Sequence, residues 1–268
     1  MPEDIRDSAA QFNLPGKDAN THELLLTPEQ AAKSDADIRT YESLASYATE
    51  HGGIAGLTDG YAVDAQCNGA VTRPHGDLDI DMFFSSPHDA EQTRSDLIAL
   101  VSASGGRWRI HEPENASRSS ADLFELHEDD DLKPQPLRRK IAVKVYTKKH
   151  PAKHMHPAVI RDSLHNEHQV LARGVEDLFT RKVIALFPHG KSYGENPRVE
   201  RRVGIHEVYD MRRLMNHPSF DRGRILSTLS EDALRKGKYE HPDFPEEQAQ
   251  RIAEQLLSTA ELFLSSHD

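Results

Sequence analysis

Gly60-Tyr61-Ala62-Val63-Asp64-Ala65, followed by Thr72-Arg73-Pro74-His75-Gly76-Asp77-Leu78-Asp79-Ile80-Asp81, decides the reading of this chain. The first part reads as a glycine-opened helix, the second as a loop that runs into a strand. Strand side chains alternate with a period of two, so Leu78, Ile80 and Met82 fall on one face and Asp77, Asp79 and Asp81 on the other. Carboxylates that project together from a rigid strand repel one another and make a hard oxygen site suited to Mg2+. The backbone N–H groups around Asp59-Gly60-Tyr61, at a helix start, form an anion site, and glycine there lets phosphate come close.

The bulk composition bounds the function classes. At 268 residues the chain holds one large domain or two small ones, with ample core for either. Apolar residues make up 37% and charged residues 29%, a soluble globular balance. No run approaches the roughly 20 apolar residues of a membrane span, so no membrane partner is expected. Met1-Pro2-Glu3-Asp4 lacks the basic-then-apolar pattern of a secretory signal. A lone cysteine, Cys67, leaves no internal disulfide, and a reducing, cytoplasmic location is the expectation.

The net charge of −11 argues against non-specific coating of nucleic acid. It is unevenly spread. Glu128 to Asp131 is acidic, and Lys133, Arg138, Arg139, Lys140, Lys144, Lys148, Lys149 and Lys153 follow without an acid among them. Two readings fit: a solvated hairpin tip with a basic edge strand, or a phosphate-facing strip beside the carboxylates.

Residues 1–21 are polar without a clear period and read as a mobile N-terminal arm. Thr27-Pro28-Glu29-Gln30 is a capping box with proline in the first turn, and it opens one or two helices that run to about Glu50. His51-Gly52-Gly53 breaks them, Leu57-Thr58 ends a short strand, and the helix at Gly60 follows. After the strand Leu78 to Phe84, Ser86-Pro87-His88-Asp89 caps a helix that Gly105-Gly106 ends. Strands are expected over Arg107 to His111, Asp122 to His127 and Lys140 to Thr147. From about Pro157 the pattern reads as helical, with amphipathic segments over Val175 to Phe187, Arg202 to Met215, Gly223 to Lys236 and Pro245 to Ser265. The fold class is α/β (α+β): a small mixed sheet with flanking helices over residues 22–156, then a C-terminal helical bundle over 157–268, divided near residues 150–170.

Nucleotidyl transfer needs metal ions that bridge phosphate oxygens, donors that hold the triphosphate, and a group that orients the attacking hydroxyl. The stretch from Gly60 to Asp81 resembles the nucleotidyltransferase signature of the polymerase-β-like superfamily. It is most similar to the lincosamide and aminoglycoside 2″-nucleotidyltransferases, which read Gly-Gly-Trp-(Ala/Gly)-(Val/Ile)-Asp-Ala, then Thr-Arg-x-His-x-Asp-(Ile/Leu)-Asp. The helical half, at Val175 to Leu186 and His206-Glu207-Val208-Tyr209-Asp210-Met211, is similar to AbiEii-like toxin nucleotidyltransferases. Those carry a helix with Lys followed by Ala-Leu and, later, Arg-Asp-x-x-Asp-Leu.

The resemblance implies a nucleotidyltransferase that moves a nucleoside monophosphate from an NTP such as ATP onto a hydroxyl, with Mg2+ or Mn2+. Asp77 and Asp79 become metal ligands and catalytic residues, and Asp210 an active-site base or orienting group. Asp59, Gly60, Tyr61, Arg73, Lys144 and Lys182 fall to the nucleotide. His75 could orient phosphate. The implied acceptor is an RNA or tRNA end, as in toxin–antitoxin systems with an antitoxin partner, or a small cationic molecule, as in antibiotic resistance. The alternative is a non-catalytic nucleotide-binding or regulatory protein on the same scaffold.

Two positions depart from the pattern. Asp59 stands where the first of two glycines is usual. The strand Lys140 to Thr147 lacks the third carboxylate that superfamily members place there, with Lys144 at a plausible equivalent position. Asp210 or Glu207 would replace it, or Asp81 would, or the chain binds nucleotide without turning it over. The histidines from His150 to His156 read as a polar loop, no acid or cysteine accompanying them.

Overall fold

Thr27 caps the first helix as its sequence predicts. Its hydroxyl accepts from the Gln30 N–H, while the Gln30 side chain accepts from the Thr27 N–H at 2.9 Å. The computed structural model describes residues 26–85, 90–103, 106–111, 121–130, 133–134, 137–146, 154–186 and 205–265. The N-terminal arm, the cap at Ser86 to Asp89, the stop at Gly105 and the basic residues Lys148, Lys149 and Lys153 lie outside them. Two compact units divide at Arg173 and Gly174.

The first unit contains α1 (Pro28–Glu50), β1 (Gly53–Thr58), α2 (Asp59–Cys67), β2 (Leu78–Phe84), α3 (Ala90–Ala103), β3 (Trp108–His111), β4 (Ala121–Glu128), β5 (Lys140–Tyr146), β6 (Met155–Arg161) and β7 (Glu167–Arg173). The strands form one mixed sheet in the order β3-β4-β5-β2-β1-β7-β6. β2 runs antiparallel to β1 and parallel to β5, and β1 runs parallel to β7. Leu57, Leu78, Ile80, Met82, Leu126, Ile141, Val143 and Val145 are buried on one side of the sheet. α1 packs on β1 and β2, α2 on β6 and β7, and α3 on β3 and β4. Each fully buried aliphatic side chain contributes about 1.5–3 kcal/mol.

The mixed α/β fold is as expected, but its sheet extends further. Residues 155–173, in the stretch expected to turn helical, form the antiparallel hairpin β6–β7. β6 is an edge strand that carries Pro157, a residue tolerated there because an edge N–H needs no ladder partner. Of the hairpin's apolar side chains, only Met155, Ile160, Val170 and Ala172 are buried, so its alternation is faint in the sequence. The Asp162 carboxylate accepts from the Leu164 and Asn166 N–H groups across the turn. His156, in the stretch read as a polar loop, is exposed on β6.

The second unit contains α4 (Val175–Leu186), α5 (Ile205–Met215), α6 (Arg222–Glu240) and α7 (Glu246–Ser265). α6 packs along α7, and α4 packs on α5 and α6. Buried Met211, Leu214, Ile225, Leu229, Leu256 and Leu257 lie on the apolar stripes that the sequence predicts for these helices. Phe179 meets Phe220 edge to face at 5.1 Å. Among the described residues no helix is long and apolar enough to cross a membrane.

Candidate active site

The carboxylates lie on the face of β2 opposite the apolar core. Thr58, the last residue of β1, pairs with Asp79, and on the other side Asp79 pairs with Ala142 and Asp81 with Lys144. One strand further, Glu125 pairs with Ala142. In-register residues share a face, so Thr58, Asp79, Ala142 and Glu125 form one row across four strands. Phe83 and Tyr146 stack at 4.8 Å at the far end of the same face. Asp77 immediately precedes β2 and continues the alternation.

Neither Asp77 nor Asp79 is held by an ion pair among the described residues. Asp79 is half-buried, and its carboxyl is pushed up to about 8, first by burial, then by the charges of Asp77 and Asp59, against the pull of Lys144 and Lys140. A carboxylate crowded in this way is stabilised by a cation. No group of three or more His, Cys, Asp and Glu side chains among the described residues is arranged to enclose a metal. The donors present, Asp77 and Asp79, are two carboxylates, a set that suits an ion such as Mg2+, ordinarily held by one or two carboxylates and completed by water and substrate phosphate.

The raised Asp79 value makes a prediction about stability. Between about pH 4 and pH 8 the folded chain keeps a proton there that the unfolded chain has lost, so this group lowers stability as pH rises through that window. Asp79→Asn removes the penalty. Its melting temperature is expected to exceed that of the wild type at pH 8, with the difference shrinking toward pH 5. A difference that does not change with pH contradicts the desolvation.

The turn at Gly60 is held from behind. A Cβ on Gly60 would lie 2.4 Å from His75 Nδ1 and 2.8 Å from a guanidinium nitrogen of Arg73, so no other residue fits without displacing them. Arg73 and His75 are both buried, and Arg73 also donates to the Pro74 carbonyl at 3.1 Å. His75 Nε2 lies 2.6 Å from Asp64, whose other oxygen accepts from the Thr72 hydroxyl at 2.9 Å. Asp64 thereby ties the 72–75 loop to α2. His75, expected to orient phosphate, makes this contact to Asp64 through Nε2.

A second carboxylate organises the same region from below. Asp37 on α1 is fully buried and accepts from the Tyr61 hydroxyl at 2.9 Å and from Arg139 Nε at 2.7 Å, with Lys33 Nζ at 3.4 Å. Lys33 in turn donates to the His75 carbonyl at 2.6 Å, two residues before Asp77. Tyr61 is thus turned into the core, with its hydroxyl held well above its ordinary pKa by burial and by Asp37, and only its backbone is left for a nucleotide. Sequence reading places Arg139 only in the basic run and misses Asp37 and Lys33. Their one signal is a Lys and an Asp four apart on the helix face that carries Ile38, Tyr41 and Leu44.

The remaining expectations divide. Asp81 is buried and engaged by the Arg173 guanidinium, with Nε at 3.1 Å, so it serves as an ion-pair partner on β7's side of the sheet. Lys144 is half-buried beside Asp79, and Asp59 is exposed at the start of α2. Lys182 and Asp210 belong to the helical unit, where both are buried and paired with each other at 3.0 Å. The charge runs around residue 130 largely answer one another: Glu128 pairs with Lys133, Asp129 with Arg109, and Arg139 turns inward to Asp37. Lys140, bound to Glu125 at 3.4 Å, and Lys144 are left on the carboxylate face.

No protein-family model matches the chain, and no curated protein matches it significantly. Among solved structures it is similar to JHP933 from Helicobacter pylori, at 13% identity over 90% of this chain and 94% of that one, with a TM-score of 0.45. It is similar to a Helicobacter pylori protein described as a nucleotidyltransferase, at 14% identity over 90% and 97% of the two chains, with a TM-score of 0.47. An antigenic nucleotidyltransferase-like protein from Paracoccidioides brasiliensis follows at 13% identity over 82% and 94%, with a TM-score of 0.41. With TM-scores below 0.5, these likenesses say nothing of what this chain binds or transfers.

Proposed function

We propose that this chain is a divalent-metal-dependent nucleotidyltransferase that moves a nucleoside monophosphate from an NTP to a hydroxyl acceptor. The observation that carries the reading is the register of Thr58 with Asp79, which sets the start of α2 beside the start of β2, where Asp77 and Asp79 lie. Phosphate oxygens would accept from backbone N–H groups at the Asp59-Gly60-Tyr61 turn. Lys144 and Arg73 add positive charge. Asp77 and Asp79 would hold the cation, which when bound supplies charge neutralisation to the phosphates. In the transfer the acceptor oxygen bonds to the α-phosphorus, the α–β bridging bond breaks, pyrophosphate leaves and the hydroxyl proton passes to a base.

Lys182 and Asp210 are proposed as the phosphate-contacting and orienting groups of the helical unit, on their match to the AbiEii-like pattern. Lys182→Ala and Asp210→Asn are each expected to lower transfer about a hundredfold in chains that remain folded by circular dichroism. Full transfer by both would remove the pair from the reaction. The acceptor is an RNA or tRNA end, or a small cationic molecule such as an aminoglycoside. The test is transfer of labelled NTP to tRNA and to an aminoglycoside panel, with nucleotide binding measured alongside. Binding without transfer to either supports the non-catalytic reading.

A further inference from the structure

Lys33 lies buried on α1, although lysine is among the side chains least often buried and hydrocarbon of similar volume often fills such a place without loss of stability. Its Nζ donates to the His75 carbonyl at 2.6 Å, across 42 positions of sequence, and lies 3.4 Å from Asp37. Asp37 has other donors, Arg139 Nε at 2.7 Å and the Tyr61 hydroxyl at 2.9 Å, so its neutralisation does not rest on Lys33. What Lys33 adds is the hold on His75.

That hold bears on the site. Residues 71–77 form neither helix nor strand, and they end on Asp77. Gly76 is exposed, and a Cβ there would meet nothing within 4 Å, so packing does not fix its place. A glycine link leaves the backbone its widest choice of conformation, so Asp77 is set by its two flanks, Leu78 in β2 and His75 before the glycine. The His75 ring is tied to Asp64 of α2, and its carbonyl to Lys33 of α1. We propose that Lys33 is a positioning residue for the cation site: its bond to the His75 carbonyl fixes the end of the Gly76 link from which Asp77 is aimed beside Asp79. The inference rests on the metal-dependent reading above. Lys33 would touch neither cation nor phosphate; it acts as the outer partners of a metal site do, by holding in place the chain that carries a ligand.

The experiment is a Mn2+ titration of the full chain, followed by the electron paramagnetic resonance signal of free Mn2+, with melting temperatures measured on the same samples. Lys33→Met keeps much of the side-chain volume and leaves Asp37 paired, so the chain is expected to fold. Lys33→Arg restores a cationic donor, and Asp77→Asn removes a proposed ligand. Leu97→Ala truncates a fully buried side chain on α3, which meets α1 through Asp96 and Tyr47 near the other end of that helix. Lys33→Met is expected to bind Mn2+ about tenfold more weakly than the wild type. Lys33→Arg should recover part of that loss, while Leu97→Ala melts lower yet binds as the wild type does. If the wild type binds Mn2+, Asp77→Asn loses it and Lys33→Met binds within about twofold of the wild type, the inference is overturned and the metal-dependent reading stands. It is overturned too if Leu97→Ala weakens binding as much as Lys33→Met, or if Lys33→Met does not fold, since the role of Lys33 is then structural. If the wild type binds no Mn2+, both fall together.

Discussion

Asp77→Ala combined with Asp79→Ala is expected to lower nucleotidyl transfer about a thousandfold or more, the loss of several kcal/mol of charge stabilisation at the phosphates. The same double variant is expected to melt at or above the wild-type temperature near pH 8. The two effects have one cause. Asp79 is held half-buried beside Asp77 and Asp59, an arrangement that is unfavourable in the chain alone and becomes favourable with a cation and phosphate. A residue conserving only the fold would give the opposite pairing, with activity kept and stability lost. Retained transfer in the double variant contradicts the placement of the metal site. A large fall in melting temperature contradicts the desolvation on which that placement draws.

Asp37→Ala is expected to be the most destabilising single change in the sheet unit, lowering the unfolding free energy by about 3–5 kcal/mol in denaturant titration. That is a large share of the 5–15 kcal/mol typical of a folded domain. The reason is what remains behind. Lys33 and Arg139 are buried beside Asp37, and removal of its carboxylate leaves both cations uncompensated. The Tyr61 hydroxyl also loses its acceptor. Replacing all three charges together, as Lys33→Met, Asp37→Leu and Arg139→Met, is expected to recover part of the loss, because the penalty lies in unpaired buried charge. A cost below about 1 kcal/mol for Asp37→Ala contradicts the view that this carboxylate holds α1, α2 and the start of β5 in place.

The fold was legible in the sequence wherever a segment buries one full face. β2 shows Leu78, Ile80 and Met82 inward, and α7 shows Leu256, Leu257 and Ala260, each at the spacing that its element requires. The hairpin β6–β7 was not legible, since an edge pair buries few side chains and leaves no strong period. Asp77 and Asp79 were legible because two carboxylates in strand alternation have a chemical meaning independent of the fold.

The rest of the site depends on contacts distant in sequence. Asp37 meets Arg139 across 102 positions and Asp81 meets Arg173 across 92, separations that no local pattern encodes. Asp64, Thr72 and His75 could be seen as a motif. That they hold one another, with His75 packed against Gly60, required the three-dimensional arrangement. The left-handed backbone of Asp59 was invisible for the same reason. In the sequence it was only an acid where glycine is usual.

The most direct measurement compares an NTP labelled on the α-phosphorus with the same NTP labelled on the γ-phosphorus, in the presence of Mg2+ and each acceptor class. Nucleotidyl transfer predicts that α-label moves onto the acceptor while γ-label leaves as pyrophosphate, and that both outcomes disappear in the Asp77→Ala, Asp79→Ala chain. Transfer of γ-label to the acceptor, or binding of NTP with neither label moved, contradicts it.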